Sequence, residues 1–508
     1  MPLDANRDDL KVGICGAGAM GRGIVQVTAA GGVAVKLFDI NAEQCAQAVK
    51  FIEQMLSRQA EKGQITAEQL KAIMGRIEVV DSMAGFADCH VVIEAATENL
   101  DIKRKIFAAI EDAVPPDAIV ATNTSSLSVT TIASSCKHPE RIAGLHFFNP
   151  VPLMKLVEVI EAVRTEPWVG DALMVLGRRM TREPVRLTDA PGFLVNQVGR
   201  GYNIEASHIA NEQVADPVDL DRILREGAGF RMGPFELMDL TALDVTHPAT
   251  ELIYRQFYEE ARFRPSYSMR MRMEAGLLGR KSGRGYYAYP EGKQQMPAEP
   301  APPAYDGRPV WISRKEAACH AALRAIVEKI GAPLDGGETP GRDSLILVTP
   351  LGEDVTTCAV EQGLDATRTL GVDTVIGLET RRTVATNPAT APEWRAAAHG
   401  LMTADGVKAT VTRDCPGLVA QRIVSTICNI GCQIAQFGTA KPEDIDKAVV
   451  LGLNYPNGPL TFGDKVGPAT VLRILTTLNR LTGDPRYRPS PWLRRRAQLG
   501  LSLFATEI

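Results

Sequence analysis

Several features that would place this chain in a special class of protein are missing. The nine cysteines are scattered and none forms a CxxC pair, so reduced cytoplasmic thiols are expected rather than disulfides or a metal site. No apolar run is long enough to span a membrane, and the first ten residues lack the apolar segment of a signal peptide. A net charge of −4 makes nucleic acid an unexpected partner. We therefore expect a cytoplasmic globular protein with about three or four domains.

A glycine-rich turn near the N-terminus connects a predicted strand to a predicted helix. The strand is Lys11–Cys15, a second strand ends at Asp39, and the turn reads Gly16-Ala17-Gly18-Ala19-Met20-Gly21. Glycines at this spacing allow a tight turn, a close approach to a pyrophosphate and close helix–strand packing. The helix N-terminus attracts phosphates. A carboxylate at Asp39 binds ribose hydroxyls and repels a 2′-phosphate, so NAD is preferred over NADP.

Alternating strands and helices continue after this turn. Such alternation is typical of a doubly wound, mainly parallel α/β sheet, and we assign residues 8–188 to a Rossmann-like NAD-binding domain. From Asp189 onward the pattern predicts helices at 191–213, 217–226 and 234–262, each beginning at or near a proline. Further strands of the first domain are predicted at 77–80, 90–93, 119–122, 142–147, 156–160 and 184–187.

A titratable histidine lies in one apolar strand and a carboxylate lies in the next. His146 stands in Gly144-Leu-His-Phe-Phe-Asn-Pro150, and Glu158 stands in Lys155-Leu-Val-Glu-Val-Ile160. A buried carboxylate is costly unless it is paired, and an imidazole is a natural partner. With a dinucleotide site in the same domain, His146 is suited to remove the hydroxyl proton of an alcohol, and Glu158 to orient the ring.

The second half of the chain contains a repeat at a constant spacing of 225 residues. Asp189-x-Pro-Gly192 recurs as Asp414-x-Pro-Gly417, and Gly233-Pro234 recurs as Gly458-Pro459. We therefore predict two copies of an all-α domain, at 189–289 and 413–508. The stretch 290–308 is rich in proline and alanine and is assigned as a linker.

A degenerate second α/β domain is predicted at 309–412, between the linker and the second helical copy. Its strands are expected at 309–312, 345–348, 374–378 and 407–411, and Val384-Ala-Thr-Asn387 echoes Val120-Ala-Thr-Asn123. It has neither a glycine-rich phosphate loop nor a counterpart of the His146 motif, and Gln421 stands where the repeat would place Asn196. One active site per chain is therefore predicted.

Three separated motifs resemble the L-3-hydroxyacyl-CoA dehydrogenase family over residues 10–289. They are Gly144–Ile160, Asp189–Asn196 and Gly279–Tyr286. The resemblance implies NAD-dependent oxidation of an (S)-3-hydroxyacyl-CoA, with His146 as catalytic base and Glu158 as its partner. It also implies that Ser125 and Asn196 contact the substrate near the reacting oxygen. Residues implied to lie near NAD are Glu98, Lys103, Asn149 and Lys281.

The resemblance also suggests the substrate and the assembly. The duplicated helical domain is similar to long bacterial members of the family that act on 3-hydroxyadipyl-CoA or 3-hydroxybutyryl-CoA, in fatty-acid or phenylacetate breakdown. An acyl-CoA is therefore the expected partner, and the chain is expected to be a homodimer or a monomer with an internal pseudo-dimer. Two alternatives stay open: a dehydrogenase of a non-CoA 3-hydroxy acid, such as L-gulonate or carnitine, and a non-catalytic relative comparable to a lens crystallin.

Overall fold

The computed structural model describes residues 3–507, which form two compact units. The first unit contains the chain up to Asn196 together with Phe437–Leu453. The second contains Gln197–Gln436 and the chain from Asn454 onward.

The first unit is built on an eight-stranded sheet with the order β3-β2-β1-β4-β5-β6-β7-β8. All neighbouring strands are parallel except β6 and β7, which are antiparallel. The strands are β1 (Lys11–Cys15), β2 (Ala34–Phe38), β3 (Ile77–Val79), β4 (Val91–Glu94), β5 (Ile119–Thr122), β6 (Ile142–Phe147), β7 (Leu156–Glu161) and β8 (Glu183–Thr188).

Six helices accompany this sheet and bury apolar faces against it. A core of valine, isoleucine and leucine side chains from both layers fills the space between them. The predicted doubly wound α/β fold is therefore confirmed. The helices are α1 (Ala19–Ala30), α2 (Ala42–Glu61), α3 (Ala67–Met74), α4 (Leu100–Ala113), α5 (Val129–Ala133) and α6 (Pro167–Arg179).

The first helical copy follows β8. Its helices are α7 (Val195–Asn211), α8 (Pro217–Arg222), α9 (Pro234–Thr241), α10 (Leu243–Gln256) and α11 (Tyr267–Glu274), and a π-helical turn, Ile223–Gly227, continues α8. The single helix predicted at 234–262 is wrong, because the chain breaks at Ala242, where φ is +65°. That backbone conformation is incompatible with a continuous right-handed helix.

A smaller five-stranded sheet follows in the second unit, with the order β13-β12-β11-β10-β9. Its strands are β9 (Val310–Ile312), β10 (Leu345–Val348), β11 (Thr369–Val372), β12 (Arg381–Ala385) and β13 (Lys408–Thr412), with helices α12 (Ala317–Ile330), α13 (Val355–Glu361) and α14 (Pro392–Thr403). The strands β11 and β12 are antiparallel, as β6 and β7 are in the larger sheet. The smaller sheet therefore matches β4 to β8 and has no equivalent of the strands that carry the glycine-rich turn.

The strand predicted at 374–378 is wrong. Asp373 Oδ1 accepts hydrogen bonds from the backbone N–H groups of Val375 and Ile376, at 2.9 and 3.1 Å, and so folds these residues into a turn. The echo of Val120–Asn123 at Val384–Asn387 is also not structural. It lies at the end of β12, whose counterpart is β7 rather than β5.

The second helical copy completes the chain with α15 (Val419–Gln436), α16 (Pro442–Leu453), α17 (Pro459–Val466), α18 (Pro468–Thr482) and α19 (Pro491–Leu499). The 225-residue spacing holds in the structure: α9 and α17 begin and end at this spacing, and β7 and β12 begin at it. The two central helices, α7 and α15, are joined by a buried ion pair between Arg422 and Glu205 at 2.6 Å, and Arg422 also contacts the more exposed Glu212, just after α7, at 2.6 Å. The predicted duplication is therefore confirmed.

Candidate functional site

The glycine-rich turn joins β1 to α1 and brings backbone segments close together at two of its glycines. Gly16 has φ of +116°, and a side chain there would meet Ala95 O at 2.6 Å. A side chain at Gly21 would meet Gly16 O at 1.8 Å, so glycine is required for the helix to approach the turn. At Gly18, by contrast, an added Cβ would meet no atom within 4 Å.

The N-terminus of α1 is open at this turn. Gly18 is the N-cap and offers no side chain to satisfy the helix N–H groups, and Ala19 beside it is exposed. Gly16 and Ala17 are buried beneath them, and Met20 is half-buried. Unsatisfied N–H groups at a helix N-terminus attract phosphate. The residues present therefore fit the diphosphate of a dinucleotide.

Asp39 lies directly after β2 and accepts a hydrogen bond from the glycine-rich turn. Its Oδ2 accepts the Ala17 N–H at 2.8 Å, and its Oδ1 accepts the Asn41 N–H at 2.9 Å. The side chain is half-buried, so part of the carboxylate stays available at the surface. This is the position at which dinucleotide-binding folds place the carboxylate that binds ribose hydroxyls.

His146 and Glu158 face each other across the antiparallel pair β6 and β7. They are direct cross-strand partners, and the distance from His146 Nδ1 to Glu158 Oε2 is 2.6 Å. The carboxylate is fully buried and the imidazole is 5% exposed. Because Glu158 occupies Nδ1, the other ring nitrogen, Nε2, is left to act on a substrate.

The second oxygen of Glu158 is held by the start of the first helical copy. Its Oε1 accepts the backbone N–H groups of Leu194 and Val195, at 3.2 and 3.0 Å. Phe148 and Phe193 lie against the imidazole, with ring centroids 4.5 and 5.7 Å away. A carboxylate fixed by three hydrogen bonds inside an apolar shell can hold the imidazole in one orientation.

Ser125 and Asn196 are brought together although they are 71 residues apart. Asn196 Nδ2 donates to the Ser125 carbonyl oxygen at 3.3 Å, and Asn196 directly follows Val195, which binds Glu158. The four residues predicted as catalytic are therefore linked by a short chain of contacts. Asn123 stabilises the same region, because its Oδ1 accepts the Phe147 N–H beside His146 at 2.8 Å.

Glu98 binds the Ser125 loop. Its carboxylate accepts the backbone N–H of Ser125 at 2.7 Å and the Oγ–H groups of Ser125 and Thr124 at 3.1 and 2.9 Å. Burial opposes ionisation of Glu98, but Lys103, 3.4 Å away, and these hydrogen bonds outweigh it. The pKa of Glu98 therefore lies below its ordinary value, and the group is anionic near neutral pH.

Glu94, at the end of β4, is a site-supporting residue that the sequence reasoning missed. Both of its oxygens lie 2.8 Å from Lys103 Nζ, Thr122 Oγ1 donates to it at 2.7 Å, and it is fully buried. The sequence does contain a cue for Glu94, because this glutamate ends the apolar run Val91-Val-Ile-Glu94. A carboxylate in an apolar strand is also the feature that indicates Glu158. Lys103 thus joins Glu94 to Glu98.

Asn149 and Lys281, which the resemblance places near NAD, lie outside the cluster of Glu94, Lys103 and Glu98. Asn149 is exposed and follows β6 by two residues. Lys281 lies in the second unit, where its Nζ forms an ion pair with Asp244.

The counterpart of this cluster in the second half contains no histidine. Asp373 lies opposite Thr383, as His146 lies opposite Glu158, and Thr383 follows Glu158 by the repeat spacing. Gln421, the counterpart of Asn196, donates to Asp373 Oδ1 at 3.0 Å. Burial raises the pKa of Asp373 to about 6. This buried network has no general base comparable to a histidine held by a carboxylate.

Within residues 3–507, no group of three or more histidine, cysteine, aspartate and glutamate side chains is arranged to hold a metal ion. No helix in this range is long and apolar enough to cross a membrane. All nine cysteines are free thiols.

Models of two protein-family domains match most of the chain. The NAD-binding domain of 3-hydroxyacyl-CoA dehydrogenase matches residues 11–190. The C-terminal domain of 3-hydroxyacyl-CoA dehydrogenase matches twice, at residues 192–289 and 417–502. The chain belongs to the 3-hydroxyacyl-CoA dehydrogenase family. As a member of this family, it is an NAD-dependent oxidoreductase.

Similar proteins include full-length and short relatives. A 3-hydroxyadipyl-CoA dehydrogenase of Escherichia coli (strain K12) is 37% identical over 96% of this chain and 97% of its own length. The crystal structure of a 3-hydroxybutyryl-CoA dehydrogenase from Escherichia coli K12 matches with a TM-score of 0.85 and 34% identity, over 97% of this chain and 99% of that one. A 3-hydroxybutyryl-CoA dehydrogenase of Bradyrhizobium diazoefficiens is 36% identical over 55% of this chain and 95% of its own length.

Proposed function

We propose that this dehydrogenase oxidises the 3-hydroxyl group of an (S)-3-hydroxyacyl-CoA to the ketone, with His146 as general base. The observation that carries the proposal is the contact of 2.6 Å between His146 Nδ1 and the buried Glu158 carboxylate. When bound, NAD accepts the hydride from C3 of the substrate. His146 takes the hydroxyl proton.

The hydrogen bond to Glu158 assigns the tasks of the two ring nitrogens. Nδ1 carries a proton that it donates to Glu158, so Nε2 is the basic nitrogen that removes the substrate proton. The imidazolium formed in this step is stabilised by the Glu158 carboxylate. In the reverse reaction Nε2 returns the proton to the carbonyl oxygen.

Ser125 and Asn196 are proposed to hold the substrate oxygen near His146. A hydroxyl and an amide can both hydrogen-bond an oxygen that changes from alcohol to ketone. Glu98 accepts hydrogen bonds from the Ser125 loop and so keeps Ser125 in place. Asn196 is fixed relative to Glu158 because its neighbour, Val195, donates to that carboxylate.

The cofactor residues fall into groups according to the part of NAD that each is proposed to bind. The turn from Gly16 to Gly21, including Ala17, Ala19 and Met20, is proposed to bind the diphosphate, and Asp39 the adenosine ribose. We place Glu98, Lys103 and Asn149 near the nicotinamide half because they follow strands β4 and β6 at the carboxyl edge of the sheet. A role for Lys281 near NAD rests on the family resemblance.

The acyl group is proposed to be 3-hydroxyadipyl or 3-hydroxybutyryl, because the full-length relatives carry these names. A role in fatty-acid or aromatic-acid breakdown follows from either substrate. Comparing kcat/KM for the two CoA thioesters decides between them, since a carboxylate at the end of the acyl chain needs a cationic contact that a methyl group does not.

The reaction itself is tested by oxidation of NADH with acetoacetyl-CoA. Wild-type protein should consume NADH, and His146→Ala should lose at least about 1,000-fold in kcat because the proton-transfer group is gone. L-Gulonate and carnitine with NAD serve as comparison substrates. Turnover of one of these without turnover of the CoA thioester would replace the proposal by the non-CoA alternative. Absence of NADH binding would favour a non-catalytic relative.

A cytoplasmic location and the assembly state belong to the same proposal. Nine free thiols are typical of a reducing compartment. The chain is proposed to act as a monomer with an internal pseudo-dimer or as a homodimer of such chains, and sedimentation equilibrium distinguishes the two.

A further inference from the structure

A segment of the second helical copy packs against the sheet that carries the catalytic pair. We name this segment, Phe437–Leu453, the second arm. It contains α16, it belongs to the first unit, and it packs on β7 and β8. Glu158 lies on β7, so the second arm packs on the strand that carries one member of the His146–Glu158 pair, which we call the dyad.

The second arm has a counterpart in the first helical copy, and the same backbone contact between arm and sheet occurs in both halves of the chain. The Thr188 N–H donates to Thr439 O at 2.9 Å, and the Arg413 N–H donates to Val214 O at 2.9 Å. The two donors and the two acceptors are each 225 residues apart. Each helical copy therefore extends an arm to the α/β sheet of the other half.

Gly452 is the point at which the second arm meets two residues near Glu158, Leu156 and Val195. The apolar face of α16 includes Ile445, Ala448 and Val449, and Gly452 continues it one turn later. A Cβ added at Gly452 would lie 2.9 Å from Leu156 Cδ2 and 3.0 Å from Val195 Cγ2. A side chain at position 452 must therefore displace the Leu156 Cδ2 methyl group and crowds the γ-methyl groups of Val195.

One neighbour of Gly452, Val195, binds Glu158, and the other, Leu156, lies on the same strand as Glu158. The Val195 N–H donates to Glu158 Oε1 at 3.0 Å. Leu156 precedes Glu158 by two residues on β7 and points to the same face of the sheet. A side chain at position 452 therefore crowds Val195, the residue whose N–H helps to fix the carboxylate that binds His146.

We propose that Gly452 is a positioning residue for catalysis, which allows the second arm to hold Val195 and Leu156 where Glu158 needs them. The inference rests on the proposed role of the His146–Glu158 pair. The second half of the chain then takes part in catalysis through this contact, although it carries no catalytic side chain. Small displacements of a catalytic group reduce kcat more than they reduce binding.

The test uses the full-length enzyme with Gly452→Ala and Gly452→Val. Gly452 lies within a right-handed helix, so larger residues fit its backbone, and alanine favours the helix over glycine by about 1 kcal/mol. We expect kcat to fall in order of side-chain size, by about 10-fold or more for valine, with KM for NAD and acyl-CoA within about threefold. For oxidation of the 3-hydroxyacyl-CoA, the rise of kcat with pH should move to lower pH in these variants. The reason is that a displaced Glu158 stabilises the imidazolium less well.

The matched control is Gly227→Ala, 225 residues before Gly452, in the counterpart segment 212–228 of the first helical copy. An added Cβ there lies 3.3 Å from Arg381 O, beside the sheet that lacks the histidine, so kcat and its pH profile should stay at wild-type values. A second control is the double variant Glu158→Gln with Gly452→Val. If Gly452 acts through Glu158, the second substitution should cause little further loss of kcat, whereas an independent structural effect would multiply.

The outcomes separate this inference from the proposed function. Folded Gly452 variants with wild-type kcat and pH profile overturn the inference, and they leave the function intact if Glu158→Gln is inactive. An active Glu158→Gln overturns the role of the dyad itself. If the valine variant does not fold, the alanine variant and its pH profile decide.

Discussion

His146 and Glu158 are direct partners across the antiparallel strands β6 and β7, and their side chains meet at 2.6 Å with the carboxylate fully buried. Among the described strands of the larger sheet, β6 and β7 are the one antiparallel pair, and their register places the two residues opposite each other. The pairing places the imidazole at the carboxyl end of β6, in the same sheet as β1, which leads into the glycine-rich turn, with β4 and β5 between them. The chemistry of the site therefore depends on how two strands are paired as much as on the two residues.

The first prediction concerns Glu158→Gln. An amide cannot stabilise an imidazolium as a carboxylate does, and it can favour the wrong tautomer, so kcat should fall by about 1,000-fold or more with small changes in KM. Steady-state kinetics with acetoacetyl-CoA and NADH measure the effect. Glu161→Gln, on the same strand but paired with Arg186, is the matched control and should keep kcat within about twofold. A Glu158→Gln enzyme with wild-type kcat would contradict the role given to this carboxylate.

The second prediction concerns Asp39→Ser. Removing the carboxylate loses the contact proposed for the adenosine ribose, weakens the hydrogen bond to the Ala17 N–H, and ends the repulsion of a 2′-phosphate. We expect KM for NAD to rise about 10-fold or more and the NAD/NADP ratio of kcat/KM to fall. Glu43→Gln, an exposed carboxylate in the first turn of α2, controls for loss of charge. An unchanged cofactor ratio would contradict the assignment.

Much of the fold could be predicted from local patterns in the sequence. The strands at Ile119–Thr122 and Ile142–Phe147 were predicted with the bounds that the structure has, because each is a short apolar run. Two predictions are wrong, the strand at 374–378 and the single helix at 234–262. In both cases the chain departs from the predicted element for a reason that the pattern of apolar residues does not show. At Asp373 a side chain captured the backbone N–H groups of the next residues, and at Ala242 the backbone adopted a positive φ.

The candidate site was predictable as a set of residues but not as a set of contacts. The apolar context of His146 and Glu158 indicated a buried pair, and the structure brings them together. The N–H groups of Leu194 and Val195 that complete the carboxylate shell come from the start of another domain, and no spacing rule links them to β7. Contacts of this kind depend on the tertiary structure and cannot be predicted from local sequence patterns.

The third prediction concerns Lys103→Met, which leaves the fully buried Glu94 carboxylate without its cation. Breaking a buried ion pair on one side costs about 3–5 kcal/mol, so the urea midpoint should fall strongly. The double variant with Glu94→Gln should recover part of this loss, since no buried charge remains. Lys105→Met, on the exposed side of the same helix, should change the free energy of unfolding by at most about 0.5 kcal/mol. Equal effects at positions 103 and 105 would refute the argument.

The last prediction concerns the pH dependence that Asp373 gives to the second half of the chain. Burial raises its pKa to about 6 from an ordinary value of 3.8, so the folded protein holds this proton more tightly than the unfolded chain. The stabilisation is fully present below about pH 4 and is lost as pH rises through about 6.

Asp373→Asn removes this titration and keeps an oxygen to accept from Val375, Ile376 and Gln421. Between pH 4 and pH 7 the difference in free energy of unfolding should therefore move in favour of the variant by about 1–3 kcal/mol. Urea unfolding of both proteins across this range measures it, with the exposed Asp343→Asn as control. A pH-independent difference between wild type and Asp373→Asn would show that the carboxyl group is ionised to the same extent in the folded and unfolded chains.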